Sequence, residues 1–110
     1  MYDDIVKGLS SSDPKVKERS ADEVTDVAKN MPEREVQAIA RSLVEQVLAV
    51  KIDSFREAAL NALCELQEWH LVSPDVLALL ASLDRTTIVG SQKEHLANLL
   101  RSAGSGPGVD

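Results

Sequence analysis

The sequence repeats itself at an interval of 37–40 residues. At a shift of 40, residues 36–43 align with residues 76–83, and four of the eight pairs are identical. At a shift of 39, residues 16–18 align with residues 55–57, and a third correspondence has a shift of 37. This interval fits one helix–turn–helix unit, which is too thin to bury its apolar face alone. The repeat therefore predicts helical hairpins that stack on one another.

Helix-breaking residues are scarce and well placed for such a fold. Five glycines and four prolines are the whole supply, and Gly104, Gly106, Pro107 and Gly108 lie close to the C-terminus. Apolar residues recur at helical spacing between the remaining breaks. Residues 86–90 are expected to form a loop and residues 103–110 a flexible tail, leaving 1–102 as one domain. Helices are predicted at 2–10, 14–31, 33–48, 53–70, 74–83 and 91–102.

Capping signals support these helix starts. Asp13 precedes Pro14 and is a good N-cap, Asp53 is the expected cap of the fourth helix, and Ser73 precedes Pro74. The fourth helix is expected to bury an apolar stripe that ends at Trp69, and Lys17 is assigned to the outer face of the second. The core stripe predicted for the fifth helix consists of Val76, Leu79, Leu80 and Leu83.

Two stretches of the chain resemble the HEAT-repeat family of α-solenoids. They are Asp13-Pro14-Lys15-Val16-Lys17 with Ala21, and Asp53-Ser54-Phe55-Arg56-Glu57-Ala58-Ala59 with Ala62-Leu63. The resemblance covers about residues 13–100, as two hairpins and half of a third, although Ser20 and Thr25 depart from the family pattern. It implies an all-α, short right-handed solenoid of antiparallel helix hairpins with five to six helices. The alternative is an ordinary bundle of five or six helices.

Charge and cysteine content disfavour several functional classes. The net charge is −6, which disfavours binding to nucleic acid because phosphates are neutralised by Lys and Arg. The longest apolar run, 76–81, is far shorter than the ~20 residues of a membrane helix. A single cysteine leaves no internal disulfide and indicates a reducing, cytoplasmic setting. We therefore expect a cytoplasmic protein that binds neither membrane nor nucleic acid and is a monomer when free.

Residues that could carry catalysis are few. His70 and His95 show no metal-ligand spacing, and Cys64 has no base close to it in the sequence. His70 is expected to contact helix-end carbonyl groups, and Cys64 is expected to be a packed thiol. The prediction is a protein that is not an enzyme and has no cofactor or metal.

Charge patterning gives the candidate binding residues. Residues 53–70 contain four acidic residues and one basic residue. On the fourth helix a stripe opposite the Phe55/Leu63 face is formed by Glu57, Asn61, Glu65 and Glu68. The alternative interpretation of this stripe is a solvated outer face. The HEAT resemblance implies that the second helices of the hairpins line a ligand-facing strip. The apolar residues of the fifth helix are expected either to be covered on both sides or to present an apolar patch to a partner. The candidate partner-binding residues are Arg34, Gln37, Arg41, Glu45, Glu57, Asn61, Glu65, Glu68, Leu77 and Ala81.

These observations favour a non-catalytic protein-binding module. A short acidic solenoid resembles the small bacterial immunity proteins that neutralise secreted toxins by direct binding, and a basic, nuclease-like toxin domain is the expected partner. The alternative is a regulatory or scaffold subunit of a larger assembly that makes contact through the fifth helix. An enzyme and a nucleic-acid repair protein of HEAT type are further alternatives.

Overall fold

Helices account for most of the described chain. The structure is a computed structural model, and it describes residues 2–104. Six α-helices lie in this part of the chain, as predicted, and it contains no strand. Short 3₁₀ turns follow the second and fifth helices, and a third one, Arg85–Thr87, overlaps the start of the segment 86–90 that was predicted as a loop. The α-helices are α1 (Tyr2–Leu9), α2 (Pro14–Val27), α3 (Glu33–Ala49), α4 (Asp53–Trp69), α5 (Pro74–Ala78) and α6 (Gln92–Gly104).

The helix ends agree with most of the sequence signals. The Asp13 carboxylate accepts a hydrogen bond from the Lys15 amide at 2.9 Å, so Asp13 is the N-cap of α2. Asp53 is the first residue of α4 and not its cap, because Ile52 occupies the cap position. Helix α6 continues two residues past the predicted domain end at 102, and residues 105–110 of the predicted tail lie outside the described residues.

The helices pack in a regular order. Helix α2 packs against α4 and α4 against α6, while α1 packs against α3 and α3 against α5. Contacts between these two sets join α1 with α2, α3 with α4 and α5 with α6. The HEAT resemblance, which starts at residue 13, predicted that the first hairpin begins at α2, whereas the successive helix pairs in contact begin one helix earlier, at α1. A side chain on Gly8 of α1 would overlap Ser20 of α2, so the absence of a Cβ atom permits the close approach of these two helices.

Helices α2 and α4 run side by side in the same direction. Near their starts, the Lys17 ammonium lies 5.8 Å from the centre of the Phe55 ring. At their ends, the Lys29 ammonium lies 5.0 Å from the Trp69 ring, and His70 Nε2 donates to the Ala28 carbonyl at 2.6 Å. The contacts at both ends fix α2 and α4 in parallel, which aligns their outer faces.

Two basic side chains near the starts of α2 and α4 are buried, and one of them, Lys17, was predicted to lie on an outer helix face. Lys17 Nζ donates to the Leu9 carbonyl at the end of α1, at 2.7 Å, and to the Gln46 side chain. Arg56 Nε donates to the carbonyls of Val47 and Val50 at the end of α3, at 3.3 and 3.1 Å. Both cations satisfy helix-end carbonyls that have no partner within their own helix. Periodicity did not reveal this, because a long basic side chain can lie on the inner face and bring its charge to a carbonyl.

The fifth helix corrects a predicted core stripe and one candidate site residue. Leu77, proposed as part of the binding strip, is 1% exposed, whereas Leu79, assigned to the core, is 42% exposed. Helix α5 ends at Ala78 and continues as the 3₁₀ turn Leu79–Ser82, which has three residues per turn. Residues 77, 80 and 83 therefore fall on one face, against α3 and α6.

Trp69 also differs from its predicted place. It was expected in the core, but it is 48% exposed at the end of α4. The core is instead almost entirely aliphatic, with Phe55 as its one aromatic member among the described residues. The apolar stripe of α4 is therefore covered up to Leu66 and emerges into solvent at its last turn.

Candidate partner-binding surface

The predicted acidic stripe lies on one side of α4, next to α6. Glu57, Asn61 and Glu65 are partly buried and Glu68 is exposed. Helix α6 covers part of the Glu57 side chain, and His95 Nε2 of α6 donates a hydrogen bond to its carboxylate at 3.0 Å. The stripe is therefore a rim shared with α6, and its free end is the last turn of α4.

A second acidic stripe lies on α2 at the corresponding positions. The 39-residue repeat aligns Lys17 with Arg56, and both side chains point inward to the end of the preceding helix. Glu18 and Glu57 directly follow these cations, so they occupy the same rotation on their helices. Asp22 and Asp26 then follow Glu18 at intervals of four residues, which keeps them on the same side of α2.

These two stripes form one surface, because α2 and α4 are parallel neighbours. We call it the acidic face. Burial, and then the neighbouring carboxylates of Glu18 and Asp26, raise the pKa of Asp22, so these three carboxylates lie close enough to repel one another. A cation placed on this surface would relieve that repulsion. The acidic face consists of Glu18, Asp22 and Asp26 of α2 with Glu57, Glu65 and Glu68 of α4.

The predicted strip on α3 and α5 is less uniform. Arg34, Arg41 and Glu45 are exposed on α3, and Ala81 is exposed beyond α5. Gln37 is engaged in the fold, because its side-chain nitrogen donates to the Leu71 carbonyl and its oxygen accepts from the Ser73 amide at 3.0 Å. With Leu77 buried and Gln37 bonded within the fold, the exposed members of this strip are Arg34, Arg41, Glu45 and Ala81.

The structure brings together three residues that sequence spacing kept apart. His95 Nε2 donates to Glu57, and Nδ1 of the same ring lies 3.9 Å from the Cys64 sulfur. Helix α6 supplies the base that Cys64 lacks in its own sequence neighbourhood. The 37-residue repeat aligns Glu57 of α4 with Glu94 of α6. Only the packing of the two helices shows that the next residue, His95, lies against the Cys64 thiol.

The environment of Cys64 holds it in the thiol form. Burial, and then the Glu65 carboxylate, raise its pKa to about 11. At neutral pH the side chain is therefore a protonated thiol, and its nucleophilic form, the thiolate, is scarce. The contacts of Glu57 and Cys64 with His95 link α4 to α6.

An open cleft of about 360 Å³ lies beside Cys64, between the C-terminal halves of α4 and α6. Its walls include Gln67 and Glu68 from α4 and Asn98 and Arg101 from α6. Acidic, basic and uncharged polar side chains line the cleft, so it is a polar groove beside the acidic face.

Within residues 2–104, no three potential ligands among histidine, cysteine and acidic side chains come together in a metal-binding group. None of the helices in that range is both long enough and apolar enough to cross a membrane. Comparisons of the chain with protein-family models, with curated proteins and with solved structures find no match.

Proposed function

We propose that this chain is a non-catalytic protein-binding module that acts as an immunity protein and neutralises a basic, nuclease-like toxin domain by direct binding. The acidic face is the observation that carries the proposal. It gathers carboxylates from two parallel helices onto one surface of a chain whose net charge is −6. Complementary charge of this kind steers a basic partner into encounter and sets the orientation of the complex.

We also propose that the architecture is a short right-handed α-solenoid of HEAT type. The packing of α2, α4 and α6 in one series, and of α1, α3 and α5 in another, supports it. Contacts of α3 with α4 support an antiparallel hairpin: Arg56 reaches the end of α3, while His70 lies 3.7 Å from Glu33 at the start of α3. In a solenoid, equivalent positions repeat along one surface, which is how two stripes become one docking face.

The raised pKa of Cys64 supports the non-catalytic part of the proposal, since the one thiol of the chain is protonated at neutral pH. Its free state is compatible with a reducing, cytoplasmic setting. The scaffold alternative depended on an apolar surface of α5, where Leu77 is buried whereas Leu79 and Ala81 are exposed.

Affinity capture with three forms of the chain tests this function. The baits are the native chain, a variant with Asp22→Lys, Asp26→Lys and Glu68→Lys on the acidic face, and a control with Asp3→Lys, Asp4→Lys and Asp75→Lys. All six positions are exposed, and the two variants have the same net charge. The control changes lie on α1 and α5.

The native and control baits are expected to retain a basic protein that the acidic-face variant loses. The purified partner should have an enzymatic activity that one equivalent of the native chain inhibits. Capture of the same proteins by all three baits would contradict the proposal, and so would a retained partner whose activity is unaffected.

A further inference from the structure

The end of α4 presents two large apolar side chains to solvent. Leu71 is 74% exposed and Trp69 is 48% exposed, the two highest values among the large apolar side chains of the described residues. They are separated by one residue, and helix α4 ends at Trp69. Removing this apolar surface from water would be favourable if a partner covered it.

Polar contacts fix this segment in place. Trp69 Nε1 donates to Glu65 Oε2 at 3.0 Å, while Lys29 lies against the indole ring. The Leu71 carbonyl accepts from Gln37 Nε2 at 2.9 Å. The next residue, Val72, is buried, and its amide donates to Gln67 Oε1 at 3.0 Å. A surface held in this way loses little conformational entropy when a partner binds.

The apolar pair has a negative rim. Glu65 contacts the indole, and the Gln37 nitrogen that bonds Leu71 also donates to Glu33 Oε2 at 2.9 Å. Glu68 is exposed and directly precedes Trp69. Two basic side chains border this rim: Lys29 lies 5.0 Å from the indole ring, and Arg101 lines the same cleft as Glu68, while His70 lies between Glu33 and the Ala28 carbonyl. The C-terminal end of α4 adds the negative end of its helix dipole.

We propose that Trp69 and Leu71 form an apolar anchor that binds a basic protein segment, in which an aliphatic or aromatic side chain is flanked by arginine or lysine. Binding hot spots at protein interfaces combine a large apolar residue with a polar rim, and tryptophan is among the residues most enriched in them. The acidic rim selects the flanking cations. The same rim opposes pairing with a second copy, which would bring like charges together. This inference rests on the proposed function. It places the centre of the contact with the basic partner at the C-terminal end of α4, at one end of the acidic face.

A short synthetic peptide is a suitable probe, with leucines flanked by arginines. Two comparison peptides replace the leucines with serine or the arginines with glutamate. Trp69 is the single tryptophan of the chain, so its fluorescence reports binding at this position directly. We expect the arginine–leucine peptide to shift the emission to shorter wavelength, because the bound leucine excludes water from the indole.

The matched variants are Leu71→Ser at the anchor and Val89→Ser at an exposed apolar position outside it. Leu71→Ser is expected to weaken binding of the arginine–leucine peptide about ten-fold, as loss of a central apolar contact does, whereas Val89→Ser leaves it unchanged. The serine peptide should bind the native chain about ten-fold more weakly, and the glutamate peptide should not bind.

Equal binding of the leucine and serine peptides, unchanged binding by Leu71→Ser, or no binding of the arginine–leucine peptide would each overturn the anchor. If sedimentation of the chain alone reveals a dimer that Leu71→Ser dissociates, the pair is occupied by a second copy and the proposal is wrong. The capture experiment judges the proposed function separately. A basic partner lost from the acidic-face variant but kept by Leu71→Ser would leave the function standing without this anchor.

Discussion

Lys17 and Arg56 illustrate how single residues tie the repeated units together. Each is buried, follows the start of its helix by the same interval, and bonds carbonyl groups at the end of the preceding helix. Arg56 Nη1 also donates to Thr87 Oγ1 at 2.8 Å, which connects α4 to the segment before α6. The two cations therefore serve as equivalent structural contacts, although Lys17 had been assigned to the outer face of its helix.

Replacing Arg56 with methionine is expected to lower the free energy of unfolding by about 2–4 kcal/mol, because buried carbonyls of Val47 and Val50 would lose their charged donor. Urea denaturation followed by circular dichroism measures the change. Arg34→Met on the exposed surface of α3 is the control and should have almost no effect. Equal losses for the two variants would show that burial of Arg56 contributes nothing specific.

The Cys64 thiol predicts a dependence of stability on alkaline pH. Its pKa is about 11 in the folded chain, against 9.0 as the ordinary value. Between these values the unfolded chain releases the thiol proton first, so the stability of the native protein falls as pH rises from 9.0 to about 11. Allowing for solvent screening of a partly exposed group, the loss is about 1 kcal/mol.

Cys64→Ala should lack this part of the alkaline decline, so the stability difference between the two proteins should change over that interval and remain constant below it. Urea denaturation at a series of pH values measures the difference. A difference that is independent of pH across the whole range would contradict the raised thiol pKa.

At the scale of helices, sequence periodicity succeeded where one period persists and failed where it changes. The predicted helices are all present, because apolar spacing and the signals at Asp13 and Pro74 determine local structure directly. Leu77 and Leu79 were exchanged because the change from α-helix to 3₁₀ turn depends on packing against α3 and α6, which no local pattern specifies.

The exchange of these two leucines predicts a large contrast between identical substitutions. Leu77→Ala is expected to destabilise the protein by about 2–5 kcal/mol through loss of buried contacts and the cavity that remains. Leu79→Ala, two residues away, should cost less than about 1 kcal/mol because the side chain is already half exposed. Thermal or urea unfolding distinguishes them, and a greater loss for Leu79→Ala would restore the periodic assignment.

At the scale of the whole molecule, binding is proposed to depend on how repeated helices align their charges. The sequence predicted the stripe on α4 from spacing alone, but the contribution of Asp22 and Asp26 depends on the parallel packing of α2 with α4. The apolar end of α4 was also missed, since Trp69 continues the core periodicity and only its position past the packed region exposes it.

The affinity of the chain for its captured basic partner, measured by calorimetry at increasing salt concentration, tests the role of the acidic face most directly. The native chain and the control with reversed charges on α1 and α5 are expected to bind with similar affinity that weakens as salt screens the charges. The variant with Asp22, Asp26 and Glu68 reversed should bind at least about ten-fold more weakly at low salt. Equal affinities for all three proteins, unaffected by salt, would contradict docking through the acidic face.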